Sequence, residues 1–238
     1  MIYEIKPAHS KKIWKFIMDF RKSTPTLHRK VGSYGLERLL SGFPHLKLKK
    51  GLRPGGVYFG DNYGGKIVPF ISSKGKKYTP KMKELKEIFK YGRDMLPYWF
   101  PSEKQKRKEV TRFYRHFTIN LTPEGYFEFA IFVIEMWNTA AYWHSSEWLH
   151  SALIYSKDSF LKHMKHLKSE KKTEILSRFD HSCPTINMKK GRGAWVNFLV
   201  FSMVHTRRIY RMHCDISPWN FPMYTVSTIS KFGPGICF

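Results

Sequence analysis

Residues 116–136 read HFTINLTPEGYFEFAIFVIEM. His116–Leu121 alternates polar and apolar residues, the period of a half-buried strand. Thr122-Pro123-Glu124-Gly125 has proline second and glycine last, a tight-turn pattern. Tyr126–Met136 is almost wholly apolar, and Phe129–Ile134 is uninterrupted. Two strands joined by that turn are predicted, the second buried on both faces. Residues 116–156 hold no Lys or Arg and contain Phe117, Tyr126, Phe127, Phe129, Phe132, Trp137, Tyr142, Trp143, Trp148 and Tyr155. Such a run is the predicted core of a sheet, with a self-association surface (a homo-oligomer) as the alternative.

The sequence on either side adds helices. Ser10 is a predicted cap for a helix to Arg21, with Ile13, Trp14, Phe16, Ile17 and Phe20 as its apolar face. A short helix fits Tyr34–Leu40, ended by Gly42 and Pro44. Val57–Phe59 and Lys66–Ser72 flank turn residues Gly60, Asp61, Asn62, Gly64 and Gly65, a hairpin. Helices are expected from Thr79-Pro80, from Ser102, and over 158–179, where Leu161, Met164, Leu167, Ile175 and Phe179 recur at helical spacing. Residues 188–193 form a basic loop, Ala194–Val204 is a strand or a buried helix, and 216–238 reads as irregular. The expected class is α+β: an aromatic-rich antiparallel sheet flanked by basic amphipathic helices. A basic, glycine-rich lobe (1–115) precedes an aromatic lobe (116–238), or one domain comprises both.

Charge narrows the function classes. The chain has 238 residues, 42 Lys+Arg, 18 Asp+Glu and a net charge of +24. A hydrophobic fraction of 42% is too high for a disordered basic tail. No stretch free of Asp, Glu, Lys and Arg reaches the roughly 18 residues of a membrane span. Charged residues interrupt the first 20 positions, so no secretory signal is read there. Three cysteines without a CxxC pair point to a reducing, intracellular compartment. The charge is uneven: residues 1–120 hold 28 Lys+Arg against 9 Asp+Glu, and residues 121–238 hold 14 against 9. Unneutralised, such charge opposes compaction, and a polyanion relieves it.

Four motifs bear on catalysis. Gly60–Lys66 has the GxxxxGK skeleton of a phosphate loop, but Ile67 stands where the magnesium-binding hydroxyl belongs. A glycine-rich hairpin is the preferred reading. His213-Cys214-Asp215-Ile216-Ser217-Pro218-Trp219-Asn220 matches HxDxxxxN. Over residues 213–233 it resembles a kinase catalytic loop, which implies Asp215 as base and Asn220 on magnesium. Lys231 replaces the metal-binding Asp, so His213, Asp215 and Asn220 stay weak catalytic candidates. His181/Cys183 with His213/Cys214 lacks the paired spacing of a structural zinc site, and His163/His166 with Glu170 along one helix side is a second possibility; solvated or hydrogen-bonding histidines are the preferred reading, so no metal and no cofactor is assigned. His116-x-Thr118 suits half of a two-histidine phosphodiesterase, but His144-x-Ser146 lacks the strand context of the other half.

The basic clusters carry the functional expectation. Lys47, Lys49, Lys50 and Arg53 precede the hairpin, and Lys74, Lys76 and Lys77 follow it. Lys104, Lys106, Arg107, Lys108, Arg112 and Arg115 lie beside Phe113 and Tyr114, and Arg207, Arg208 and Arg211 alternate with Tyr210. Cations release counterions from phosphates, and aromatic faces stack on unpaired bases. The expectation is non-catalytic binding of RNA or single-stranded nucleic acid, in a nucleoprotein-like or ribosomal-type role. A matrix-like protein on anionic membranes and an enzyme acting on a phosphate-bearing substrate are the alternatives.

Overall fold

The computed structural model describes residues 2–23, 32–34, 36–61, 64–73, 114–138, 151–165, 167–177, 183–191, 193–203, 206–217 and 222–234. Among them are five helices and eleven strands in a mixed α+β arrangement. The helices are α1 (Pro7–Ser23), α2 (Leu36–Ser41), α3 (Pro123–Asn138), α4 (Lys157–His163) and α5 (Ser169–Leu176). The first six strands are β1 (Ile2–Glu4), β2 (Gly32–Tyr34), β3 (Leu46–Leu48), β4 (Leu52–Asp61), β5 (Gly64–Ser73) and β6 (Phe117–Ile119). The rest are β7 (Ser151–Ile154), β8 (Thr185–Met188), β9 (Ala194–Ser202), β10 (Thr206–Ile216) and β11 (Pro222–Pro234).

The apolar run 126–136 is a helix, not the expected strand. Its opening is the reason. Thr122 is not the first residue of a β-turn but caps α3: its Oγ1 accepts from the Gly125 N–H at 3.2 Å, and its carbonyl accepts from Tyr126 N at 3.1 Å. Pro123 then occupies the first helical position, where its missing N–H costs nothing. A proline-and-glycine tetrapeptide therefore fits both structures. Burial settles which one forms, because a helix apolar on every side must be covered on every side. α3 packs against α1, α2, β3 and β6, and also against β8, β9 and β10.

Gly125 makes the helix start sensitive. A Cβ there would lie 2.1 Å from the Asn120 carbonyl oxygen. That carbonyl accepts from Thr122 N at 2.7 Å, while Asn120 N donates to the His45 carbonyl at 3.0 Å, so the segment is anchored. Gly→Ala in a helix usually gains up to about 1 kcal/mol. Here the overlap with fixed backbone outweighs that gain, and Gly125→Ala is expected to cost about 1–3 kcal/mol. The urea midpoint reads this directly, and a rise in it would contradict the overlap.

The main sheet is antiparallel, in the order β1-β8-β9-β10-β11, and β7 shares β9 with β8. β8 pairs with the first half of β9 (Met188 opposite Ala194), and β7 with the second half (Ser151 opposite Ser202). β11 is a second correction: 222–234 is a strand along β10, not irregular backbone. Alternating Tyr224, Val226 and Thr228 had marked it, against the weight of the prolines around it. Residues 194–202 are a strand with changing burial, and both sheet faces explain it. Ala194, Val196, Phe198 and Val200 join the core around α3. Leu199 and Phe201 face Phe160, Met164 and Ile175 of the α4–α5 segment. Tyr126 Oη accepts from Gly193 N at 2.9 Å, and Tyr224 Oη donates to the Ala130 carbonyl at 2.6 Å, fastening α3 to the sheet.

Other boundaries also move. The expected 158–179 helix is two shorter ones, and Ser156 caps the first, reciprocally with Ser159. α1 starts at Pro7, which leaves Ser10 inside the helix and fully buried. Residues 32–34 form a strand, so the second helix runs from Leu36 to Ser41. The hairpin β4–β5 is present, with longer strands than expected, Leu52 opposite Ser73. The expected helices from Thr79 and Ser102 lie outside the described residues. The larger core draws on both 1–115 and 116–238, from Ile13 and Leu36 to Phe132 and Val196. No helix among the described residues is long and apolar enough to cross a membrane.

Candidate functional site

Three groups of polar side chains stand out: a basic ribbon, an open sheet face and a buried cluster on α3. The ribbon is β3 paired with β6. Leu46 and Leu48 lie opposite Ile119 and Phe117 and point into the core. The period of two turns Lys47 and Thr118 outward, and both are exposed. Lys49 N donates to the His116 carbonyl at 3.0 Å, and Gly51 takes a positive φ of 81° as the chain turns into β4. Lys47, Lys49, Lys50 and Arg115 are exposed, and Arg53 is half-buried. Burial first, and the charge of Lys49 second, hold the His116 imidazole below its ordinary value. Cations some 60 positions apart in the chain thus meet on one ribbon.

The open face belongs to the main sheet, beyond the cover of α4 and α5. The register places Asn187, Trp195, Asp215 and Met223 in one row and Thr185, Asn197, His213 and Thr225 in the next. Trp195 is 38% exposed, and its Nε1 donates to Asp215 Oδ2 at 3.1 Å. Lys189 pairs with Asp215 Oδ1 and lies 4.8 Å from the Trp195 ring centroid. His213 Nδ1 and Asn197 Oδ1 are 2.7 Å apart.

The same face holds two residues of the kinase-like pattern. His213 and Asp215 sit inside β10, hydrogen-bonded strand to strand on both sides, and not on a catalytic loop. The Asp215 carboxylate is engaged by Lys189 and Trp195. Asn220 lies outside the described residues. The phosphate-loop skeleton fails likewise, because Gly64-Gly65-Lys66 opens strand β5 and not a helix. His213 and Cys214 occupy opposite faces; Cys214 is wholly buried, and that burial pushes its thiol far above the ordinary range. His163 stacks on Phe201 at 5.1 Å, and burial, then Lys162, lowers its basicity. Strand alternation thus keeps His213 and Cys214 from sharing one ion. His144, His166 and His181 lie outside the described residues.

Of the other basic positions, Arg207, Arg208 and Arg211 are half-buried on β10. Arg208 lies over the Tyr210 ring at 5.7 Å and donates to the Thr206 carbonyl at 3.2 Å. These arginines are strand residues of the main sheet, whereas Lys47 lies on β3, Lys49 and Lys50 follow it, Arg115 precedes β6, and Arg53 opens β4 opposite Ser72 of β5. Lys74, Lys76, Lys77, Lys104, Lys106, Arg107, Lys108 and Arg112 lie outside the described residues.

The third group was missed in the sequence. Glu128 and Glu135 are seven residues apart on α3, two helical turns, and both are wholly buried. Glu135 takes a two-pronged ion pair from Arg21 near the end of α1. Glu128 faces two histidines. His45 Nδ1 is 2.7 Å from its Oε1, and His45 N donates to its Oε2 at 2.8 Å. His9 Nε2, from the start of α1, is 3.1 Å from the same Oε1. The signal was available: two carboxylates at a spacing of seven in an apolar run demand buried partners once the run is read as a helix. Compared with protein-family models, curated proteins and solved structures, the chain matches none of them.

Proposed function

We propose that this protein binds a polyanion without catalysing its conversion, and that the polyanion is RNA or single-stranded nucleic acid. The observation that supports the reading is the β3–β6 ribbon, where Lys47, Lys49, Lys50 and Arg115 gather from two distant segments and remain exposed. Like charges brought together repel one another, and a phosphate backbone converts that cost into counterion release. The lowered basicity of His116 is a local sign of the same positive field, after burial. The net charge of +24 points the same way.

The test is binding of labelled single-stranded RNA, duplex DNA and acidic liposomes over a salt series. RNA affinity should fall steeply with salt. Changing Lys47, Lys49 and Arg115 to Gln should weaken binding and flatten the logarithmic salt slope by about 2, the share of three lost phosphate contacts on a single strand. An unchanged slope would remove the ribbon from the interface. Preference for liposomes would favour the membrane-binding alternative.

A further inference from the structure

We propose that His9, His45 and Glu128 form a binding site for a divalent transition metal of the zinc and ferrous-iron class. The inference is independent of the polyanion reading. The donor set is two imidazoles and one carboxylate, which suits these ions and leaves coordination positions for solvent. The three donor atoms, His9 Nε2, His45 Nδ1 and Glu128 Oε1, all lie within 4.8 Å of one another. Donors at about 2.1 Å from one ion stand about 3.0 Å apart at right angles and about 3.4 Å apart at tetrahedral angles. The carboxylate-to-imidazole distances, 2.7 and 3.1 Å, are already close to these spacings. Only the two rings, whose centroids are 5.7 Å apart, have to close toward each other.

Two further features fit a cation. His9 Nε2 is buried yet makes no hydrogen bond among the described residues, although Glu128 Oε1 is within reach. A buried polar atom left in this way asks for a partner, and a metal ion accepts the nitrogen lone pair that a carboxylate cannot use. Glu128 is also prepared for one-oxygen ligation. Its Oε2 is occupied by the His45 backbone N–H, so Oε1 alone faces the two rings. That N–H acts as the outer-shell bond that orients a ligand. The histidine side chains are 20% and 30% exposed while Glu128 is 0% exposed, so an ion enters from the imidazole side and keeps solvent there. The site joins the start of α1, the α2–β3 turn and α3, three elements distant in the chain.

The experiment is titration of chelator-treated, full-length protein with Zn2+ in competition with a metal indicator, repeated with Co2+ to read the visible absorption of the bound ion. Wild type should bind Zn2+, show Co2+ bands and melt at a higher temperature with metal. His9→Gln and His45→Gln should each lose more than the roughly 10- to 100-fold that removal of an outer-shell partner costs. Both are chosen because they leave the carboxylate in place; circular dichroism checks that they fold. His163→Gln, outside the cluster, should bind as wild type does. Wild type that takes up no Zn2+ would overturn the site. So would folded His9 and His45 variants with wild-type affinity and Co2+ spectrum, which would leave the three residues as a hydrogen-bonded tie.

Discussion

Replacing Arg21 with methionine is expected to destabilise the protein by about 3–5 kcal/mol, the cost of stripping one partner from a buried ion pair. The geometry explains why the effect is at this end of the scale. Arg21 Nε and Nη2 donate to the two carboxylate oxygens of Glu135 at 2.9 and 2.6 Å, and both side chains are almost completely shielded from water. Methionine keeps much of the apolar stem, so the loss measured is mainly electrostatic. The wholly buried Glu135 carboxyl would be left in an apolar helix without its guanidinium partner. Arg21 also lies over the Trp14 ring, 5.1 Å from its centroid, so a smaller part of the loss comes from that contact. Glu135→Leu in the Arg21→Met background should recover most of the stability, because an apolar pair of similar volume carries no desolvation penalty. Urea unfolding of the two single variants and the double variant reads the coupling. A double variant no more stable than Arg21→Met would show that the pair's worth lies in packing and not in charge.

This pair also bears on how far the fold was legible. The α+β class was legible from composition, and the described part of the aromatic run, Phe117 to Ile134, does join the core. Composition did not give the secondary structure of that run, because Thr122-Pro123-Glu124-Gly125 satisfies both a turn and a helix start. The discriminating signal was the carboxylates. In a strand, Glu128 and Glu135 would fall on opposite faces, since seven is odd; in a helix they share one. Only the helix allows a single element, α1, to supply His9 near one and Arg21 near the other. Short-range spacing hid the partners, which lie more than 80 residues away along the chain. The strand 222–234 was obscured differently. The prolines and glycines of 216–238 suggest irregular backbone, yet Pro222 and Pro234 stand at the two ends of the strand, where a missing donor costs little. The HxDxxxxN pattern shows the complementary gap: a local match carries no information on the ladder in which His213 and Asp215 stand. The basic ribbon was half legible, since each cluster was visible but the pairing of β3 with β6 was not.

Phe132→Ala should rank with the ion pair, at about 3–5 kcal/mol. Phe132 is wholly buried at the centre of α3, and its ring meets Phe43 of the α2–β3 turn at 5.4 Å, edge-on, and Phe117 of β6 at 5.3 Å. Truncation leaves a cavity that three separate elements would have to collapse into, and dense cores relax only partly. The edge-on pair adds about 0.5–1.5 kcal/mol beyond the area it buries. A cycle of Phe43→Leu and Phe132→Leu should therefore show a coupling of that size, and additive losses would mean that the rings merely share a cavity. The consequence reaches the proposed interface. Lys47 and Thr118 face outward only because Leu46, Leu48, Phe117 and Ile119 are held inward against α3. Weakening that anchor should loosen the ribbon before the main sheet, which α3 grips separately through Tyr126 and Tyr224. Hydrogen exchange in Phe132→Ala should accordingly rise first at Leu46–Leu48 and Phe117–Ile119. Equal acceleration throughout β9 and β10 would show that the ribbon and the sheet unfold as one unit.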